Sequence, residues 1–274
     1  MSDELTTIKP TNPWFSFDLK DLWSRHELLY FLTWRDIKVR YKQTFIGVGW
    51  AILQPFLTMV VFTVFFKRLG RIPSEGIPYP IFSYSGLLLW IYFSSSVTHA
   101  SNSLISNEKL ITKVYFPRFI VPVSSVITGF VDYLIALSIL VAMMFFYHVT
   151  PSPFLLLLPF FLFLAFLSTT GLGFWLSALN IKYRDVRYAI PFFIQLLLFT
   201  TPVIYPVKIL PHNIRWLLSL NPISGIIDAH RACILGHKPI DWMSLGISAG
   251  VTLVIFITGV LYFNHAERFF ADII

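Results

Sequence analysis

The chain has 274 residues and a formal net charge of +7, and it is 56% hydrophobic and only 13% charged, where soluble domains run roughly 45–50% apolar and about 25% charged. A water-soluble fold of this length cannot hide so much apolar surface but a bilayer solvates it, which excludes an ordinary soluble enzyme and fits one membrane domain of five to seven spans at roughly 20 residues each. The positive residues cluster beside apolar runs, which points to topology and anionic-lipid contact rather than nucleic acid, and the single cysteine, Cys233, excludes an intramolecular disulfide and any Cys-based metal cluster.

Residues 1–46 read as a cytoplasmic N-terminal segment without the early apolar stretch of a cleavable signal. Its start is polar and holds Pro10 and Pro13. From 19 to 41, the residues Leu19, Leu22, Trp23, His26, Leu29, Tyr30, Trp34, Ile37 and Tyr41 fall on one arc at about 100° per residue. This amphipathic helix, with Trp23, Tyr30 and Trp34, is expected to lie in the membrane interface, either as a passive anchor or as part of a gate at the cytoplasmic entry. Leu28, Phe31 and Leu32 interrupt its polar face and are expected to meet protein rather than water.

An all-α domain of six transmembrane helices is expected over 47–264, followed by a cytoplasmic tail at 265–274. The spans read at about 48–66, 81–105, 119–146, 154–179, from 189 to a break at Pro202 and Pro206, and 242–263. The second is polar for a span, with Ser94, Ser95, Ser96 and Ser101. Residues 207–240 hold two apolar stretches, 214–220 and 223–235, divided by Asn221-Pro222. Each is too short to cross roughly 30 Å of hydrocarbon. A re-entrant helical pair fits them if protein or a water-filled cavity covers the backbone; a loop flat on the outer interface is the plainer alternative. With the N-terminus inside, 14 Lys and Arg fall on the cytoplasmic side against seven outside. That bias places both termini in the cytoplasm, opposed locally by Lys67, Arg68 and Arg71.

No GxxxxGK[ST], HExxH or GxSxG motif is present. The energy for any transport is therefore expected from a partner or an ion gradient. The run Arg35-Asp36-Ile37-Lys38-Val39-Arg40-Tyr41-Lys42-Gln43-Thr44, then Gly47, Trp50 and Leu53-Gln54-Pro55, resembles the start of ABC-2 type permeases. Within that family it is similar to the exporters of polysaccharides such as O-antigen, capsule and teichoic acid. Asn107-Glu108-Lys109-Leu110-Ile111 with Phe116-Pro117-Arg118, Lys182-Tyr183-Arg184-Asp185-Val186, Thr201-Pro202-Val203-Ile204-Tyr205-Pro206 and Asn221-Pro222 follow in the family's order. The resemblance implies a six-helix permease of the bacterial inner membrane that forms a homodimer. It implies docking on two ATP-binding cassette subunits, which carry the ATP and Mg, and a lipid-linked polysaccharide as cargo. No cofactor or metal is expected in this chain.

The candidate site residues fall into three groups. Asn107, Glu108, Lys109, Lys113, Arg118, Lys182, Arg184 and Asp185 form short charged loops suited to a groove on an ATPase, or serve only as positive-inside loops. Asn107 is a good helix-start residue for a helix in the first of these loops. Gln54, His99 and Gln195 lie at similar depth and are expected either to line a sugar path as one polar layer or to hold helices together. Asp132 is an intramembrane carboxylate and a functional candidate by default. Trp90, Tyr92, Phe93, Phe199 and Tyr205 offer planes on which sugar rings stack, or anchor the interface. Asn221, Pro222, Asp228 and Arg231 belong to the expected re-entrant gate, with Asp228 and Arg231 spaced to pair. Two other classes compete. A gradient-driven carrier calls for more paired intramembrane charges and an inverted repeat. A membrane-embedded transferase calls for an acidic cluster in a loop.

Overall fold

The computed structural model describes residues 25–42, 47–114, 116–268 and 270. Among these, all regular structure is helical. Helix α1 is His26–Lys42, α2 is Gly49–Phe62 and continues through a π-helical turn, Thr63–Leu69. Helices α3 (Tyr79–Ser106), α4 (Glu108–Lys113), α5 (Ile120–Phe146), α6 (Leu158–Lys182) and α7 (Val186–Thr200) follow. The chain ends on α8 (Arg215–Ser219), α9 (Ser224–Leu235) and α10 (Trp242–Glu267). Among the described residues, five helical segments are long and apolar enough to cross a membrane: Gly49–Leu69, Tyr79–Ser106, Ile120–Phe146, Pro153–Lys182 and Trp242–Glu267. Each meets a span expected from sequence. The expected fifth span is α7, only 15 residues and so roughly 22 Å at about 1.5 Å per residue. It stops before Pro202, as the sequence indicated.

Helix α3 is the hub. It packs on α2, α5, α6 and α9, and most of it is buried. Its polarity is compatible with that position because most of its serine and threonine hydroxyls bond back within the helix. Ser83, Ser85, Ser94, Thr98, Ser101 and Ser103 each donate to a carbonyl three or four residues earlier, the usual way small hydroxyl residues are satisfied in apolar surroundings. Small residues then let neighbours approach closely. A Cβ on Gly129 of α5 would lie 2.0 Å from Ser96 Oγ, and one on Gly173 of α6 would lie 2.9 Å from Ala100 Cβ.

The same device joins α6 to α10. A Cβ on Gly259 would lie 2.5 Å from the Gly171 carbonyl oxygen. Beside this crossing Trp175 stacks on Tyr262 with centroids 4.4 Å apart and donates to Thr258 Oγ1 at 3.1 Å. The N-terminus of α10 is capped by Asp241, whose carboxylate accepts from the Met243 and Ser244 amides.

Helix α1 carries two apolar stripes. Leu32 is buried with Leu104, Ile111 and Phe119, with Leu28 and Leu29 alongside, while Tyr30, Phe31 and Trp34 stay exposed. Leu28 and Leu32 thus meet protein as expected, and Phe31 does not. Trp23 lies outside the described residues.

Around Asn221-Pro222 the two helices are unequal. Helix α8 is barely more than one turn, with Trp216, Leu217 and Leu220 exposed. All twelve residues of α9 are buried, against α3, α6 and α10. A flat surface loop is therefore excluded for 224–235, and the first expected half-helix shrinks to a short turn. Asn221 shapes the junction: its side-chain oxygen accepts from the Ile223 amide at 3.2 Å and its amide donates to Thr201 Oγ1 at 2.9 Å.

The Gly171–Gly259 crossing makes a direct test. Gly259→Leu forces α6 and α10 apart and costs about 1–3 kcal/mol, lowering the thermal midpoint of the solubilised protein by several degrees. Gly250→Ala on the same helix, where an added Cβ meets nothing within 4 Å, leaves the midpoint unchanged or raises it slightly. Equal midpoints for both variants contradict the crossing.

Candidate functional site

A mainly apolar cavity of about 280 Å³ that holds several polar side chains opens between α1, α2, α3 and α5. Its walls include Arg40, Tyr41, Trp50, Gln54, Tyr92, His99, Asp132 and Tyr133. Asp132 has the partners that sequence could not supply: Arg40 pairs with one carboxylate oxygen and the Tyr41 hydroxyl donates to the other. His99 Nδ1 lies 2.7 Å from the Ser95 carbonyl oxygen, so the ring donates through Nδ1, and in the neutral ring Nε2 is an acceptor. Tyr133 donates no bond into the cavity; its hydroxyl meets His230 Nε2 of α9 at 2.8 Å.

Of the residues expected along a path, the cavity gathers Gln54, Tyr92, His99 and Asp132. It does not gather the rest. Gln195 and Phe199 are exposed on α7, so the expected three-residue polar layer divides, with only Gln54 and His99 together. Trp90 and Phe93 are buried in the bundle core. The α3 helix turns them away from any free surface of the chain. Tyr205 folds back to donate to the Phe199 carbonyl at 2.9 Å.

At one end of the bundle, Glu108, Asn180, Lys182, Arg184 and Arg187 line a groove of about 480 Å³. Glu108, Lys109 and Lys113 are exposed on α4, as are Lys182 at the end of α6 and Arg184 and Asp185 beyond it. Two residues expected to belong with them are engaged within the chain instead. Arg118 donates to the Glu267 carbonyl at 2.6 Å, its amide to the Glu267 carboxylate at 3.2 Å, and its guanidinium lies over the Phe270 ring. Asn107 does not cap α4: its amide returns to the Ser103 carbonyl at 2.8 Å and its oxygen accepts from Arg35 at 2.8 Å, so it closes α3 and ties α1 to this end.

At the opposite end, the loop after α2 meets the segments flanking α9. Glu75 accepts from His237 Nε2 at 3.0 Å and Lys238 Nζ at 3.2 Å, with Lys208 Nζ at 3.7 Å. Lys238 also reaches Asp228 at 2.7 Å. The spacing of Asp228 and Arg231 suggested a pair between them, and the structure corrects this. Arg231 turns the other way, into the bundle, where it donates to the Pro202 carbonyl at 2.8 Å and the Val203 carbonyl at 3.2 Å. Glu75 sits at φ 52° and Gly76 at φ 86°, left-handed conformations that turn the loop toward these cations. Burial by itself would raise the Glu75 carboxyl, but the bond from His237 and the charge of Lys238 outweigh it and hold it at about 2.

Comparison with known proteins places this architecture. The sequence profile described as ABC-2 type transporter matches residues 27–235, from the start of α1 to the end of α9. The chain belongs to the ABC-2 type transporter family. The O-antigen export system permease protein RfbA of Klebsiella pneumoniae is 30% identical over 250 residues, covering 90% of this chain and 95% of that one. The Myxococcus xanthus protein of the same name is 30% identical over 257 residues, covering 93% and 98%. The polysialic acid transport protein KpsM of Escherichia coli is 22% identical over 242 residues, covering 85% and 91%. With its apolar helices, this ABC-2 chain is a multi-pass membrane transport protein.

Two groups at these sites escaped sequence reasoning. Arg40 and Tyr41 were visible only as part of a basic run before a span, although a lone intramembrane acid calls for such a partner. The Glu75 cluster joins residues up to 163 positions apart, from Glu75 to Lys238, and its only sequence signal is an acid in a loop that otherwise carries cations.

The Glu75 cluster yields a pH prediction. A carboxylate held at about 2, below the ordinary 4.5, contributes stability that is complete above about pH 4.5 and lost as pH falls toward 2. Glu75→Gln should lower the thermal midpoint at pH 7 and flatten its dependence between pH 4.5 and 2. A variant whose midpoint follows that of the natural protein across this window shows that the cluster stabilises nothing.

Proposed function

We propose that this chain is the membrane permease subunit of an ATP-driven exporter of a lipid-linked polysaccharide in a bacterial inner membrane. Two copies form the channel, and two separate ATP-binding subunits supply the work. The observation that carries this reading is the near-full-length relation to proteins named as permeases of O-antigen export.

Six crossings with both termini in the cytoplasm accommodate the contacts at the two ends. Residues 182–187 share a groove with Glu108, while Lys208 reaches Glu75 at the other end, so the chain between them traverses the bundle through α7. The end bearing α4 and residues 182–187 is the cytoplasmic one, and its groove is the docking surface for the ATPase. The end bearing Glu75 and Lys238 faces outward. There α8 and α9 form the re-entrant element, with α9 inserted among the spans and Asn221-Pro222 at its turn. The exposed apolar faces of α2 and α7, including Phe56, Val60, Phe192 and Phe193, meet lipid or the second copy.

Orientation is testable because Cys233 is buried and is the single cysteine, giving a low background. A membrane-impermeant thiol reagent applied to intact cells should label Thr150→Cys and Asn213→Cys and leave Lys109→Cys and Arg184→Cys unlabelled. The reverse pattern inverts the topology.

Coupling is tested by exchanging charges on α4. Glu108→Lys with Lys109→Glu should reduce ATPase association or polymer export several-fold with normal membrane insertion. Unchanged export in this double variant leaves α4 as a topological loop only. Export that persists without the ATPase but collapses with an uncoupler replaces the reading with a gradient-driven carrier.

A further inference from the structure

Building on the polysaccharide-export reading, we propose that the cavity between α1, α2, α3 and α5 is a subsite for one neutral sugar ring of the exported glycan. Trp50 is its stacking platform, and Gln54, His99 and Asp132 form its hydrogen-bonding edge.

Size, chemistry and charge each support this. At about 280 Å³ the cavity lies just below the usual range of ligand sites, about 300–1,000 Å³, and so suits a single ring rather than a length of chain. A pyranose presents an apolar C–H face and a rim of hydroxyls, and binds best against an aromatic plane beside fixed polar groups. Trp50 lines the wall with half its surface exposed. Each Asp132 oxygen receives one bond, from Arg40 or Tyr41, and an ionised carboxylate has about four lone-pair directions, so it can still accept from a sugar hydroxyl. His99, fixed by Ser95, offers an Nε2 acceptor, and the Gln54 amide offers both a donor and an acceptor.

The electrostatics select against anions. Arg40 and Asp132 cancel within the cavity. A phosphate or a sugar acid would have to draw Arg40 away and leave the Asp132 carboxylate facing a like charge, which is repulsive at this range. A neutral ring needs neither. The location is also apt: α1, which supplies Arg40, carries exposed Tyr30 and Trp34, so the cavity lies between an interfacial helix and the interior of the bundle.

The experiment uses the full-length chain in native-lipid nanodiscs, with the subunits it carries from the membrane. The probe is mannotriose, observed by saturation-transfer NMR with irradiation of protein aromatic protons. Transfer to the sugar C–H protons is expected in the natural protein. It should fall at least five-fold in Trp50→Ala and stay within two-fold in Trp50→Phe. Millimolar inorganic pyrophosphate should not displace it. Equal transfer in Trp50→Ala, no transfer in the natural protein, or displacement by pyrophosphate each overturns the subsite. Trp50 is half exposed, so its removal spares the core, and an unchanged thermal midpoint verifies this. Failure here is separable from failure of the export reading, which is scored by polymer at the cell surface and not by mannotriose binding.

Discussion

The arrangement of the Glu75 end of the bundle depends on one buried guanidinium, that of Arg231. In hydrocarbon every backbone carbonyl needs a partner from within the protein. Pro202 and Pro206 break the chain after α7, so the carbonyls in between lose the helical donors they would otherwise have. Arg231 supplies two of them, at Pro202 and Val203, and the Tyr79 hydroxyl supplies the third, at Ile204, from 2.8 Å. The charge itself is accommodated by the face of Phe82, whose centroid lies 3.9 Å away, an attraction that grows when water is excluded. Gly86 is required for the fit, since a Cβ there would lie 2.2 Å from Arg231 Nη2. Removing the arginine would leave three unwound residues of the Thr201–Pro206 motif without most of their donors.

Because Arg231 is on α9, the same contact fixes that helix inside the bundle. The other polar groups of α9 extend the connection in two directions. Asp228 reaches Lys238 and, through it, Glu75 in the loop between α2 and α3. His230 reaches Tyr133, which lies next in sequence to Asp132 and lines the cavity where Asp132 binds Arg40 and Tyr41. Three hydrogen-bonded groups thus lie side by side: Arg40 and Tyr41 on Asp132, Tyr133 on His230, and Glu75 and Asp228 on Lys238. Polar contacts of this kind are strong where the dielectric is low and costly when half made, so each group holds the elements it joins in register.

Charge is distributed by the same logic. The exposed cations Lys109, Lys182 and Arg184 lie at the end where α4 and the 182–187 loop form a groove. Those drawn inward, Arg40, Arg231 and Lys238, are matched by a carboxylate or by backbone carbonyls. Among the described residues, the exposed cations thus lie at the two ends of the bundle, Lys67, Arg68 and Arg71 at the Glu75 end included, while those drawn inward each have a carboxylate or carbonyl partner.

The sequence by itself determined what depends on local hydropathy and backbone chemistry. The long apolar segments, the loops between them, the end of α7 ahead of Pro202 and the turn at Asn221-Pro222 follow from length, from proline's missing donor and from the bilayer's intolerance of free backbone groups. The order of the family motifs was equally legible, because each is a contiguous run. Only the tertiary structure decided which side chains share a site. Gln54, His99 and Asp132 converge while Gln195 does not, because helix rotation and tilt are set by packing against neighbours such as Gly129 and Gly173, and a sequence gives depth but not facing. Trp90 and Phe93 looked like candidates for a path and are core residues of the hub helix for the same reason. Asp228 and Arg231 were close enough in sequence to pair, yet Asp228 meets Lys238, which Glu75 shares, and Arg231 meets the carbonyls of the unwound Pro202–Val203 segment. Such choices are competitions among partners brought together by the fold, and no window of contiguous residues contains all the competitors.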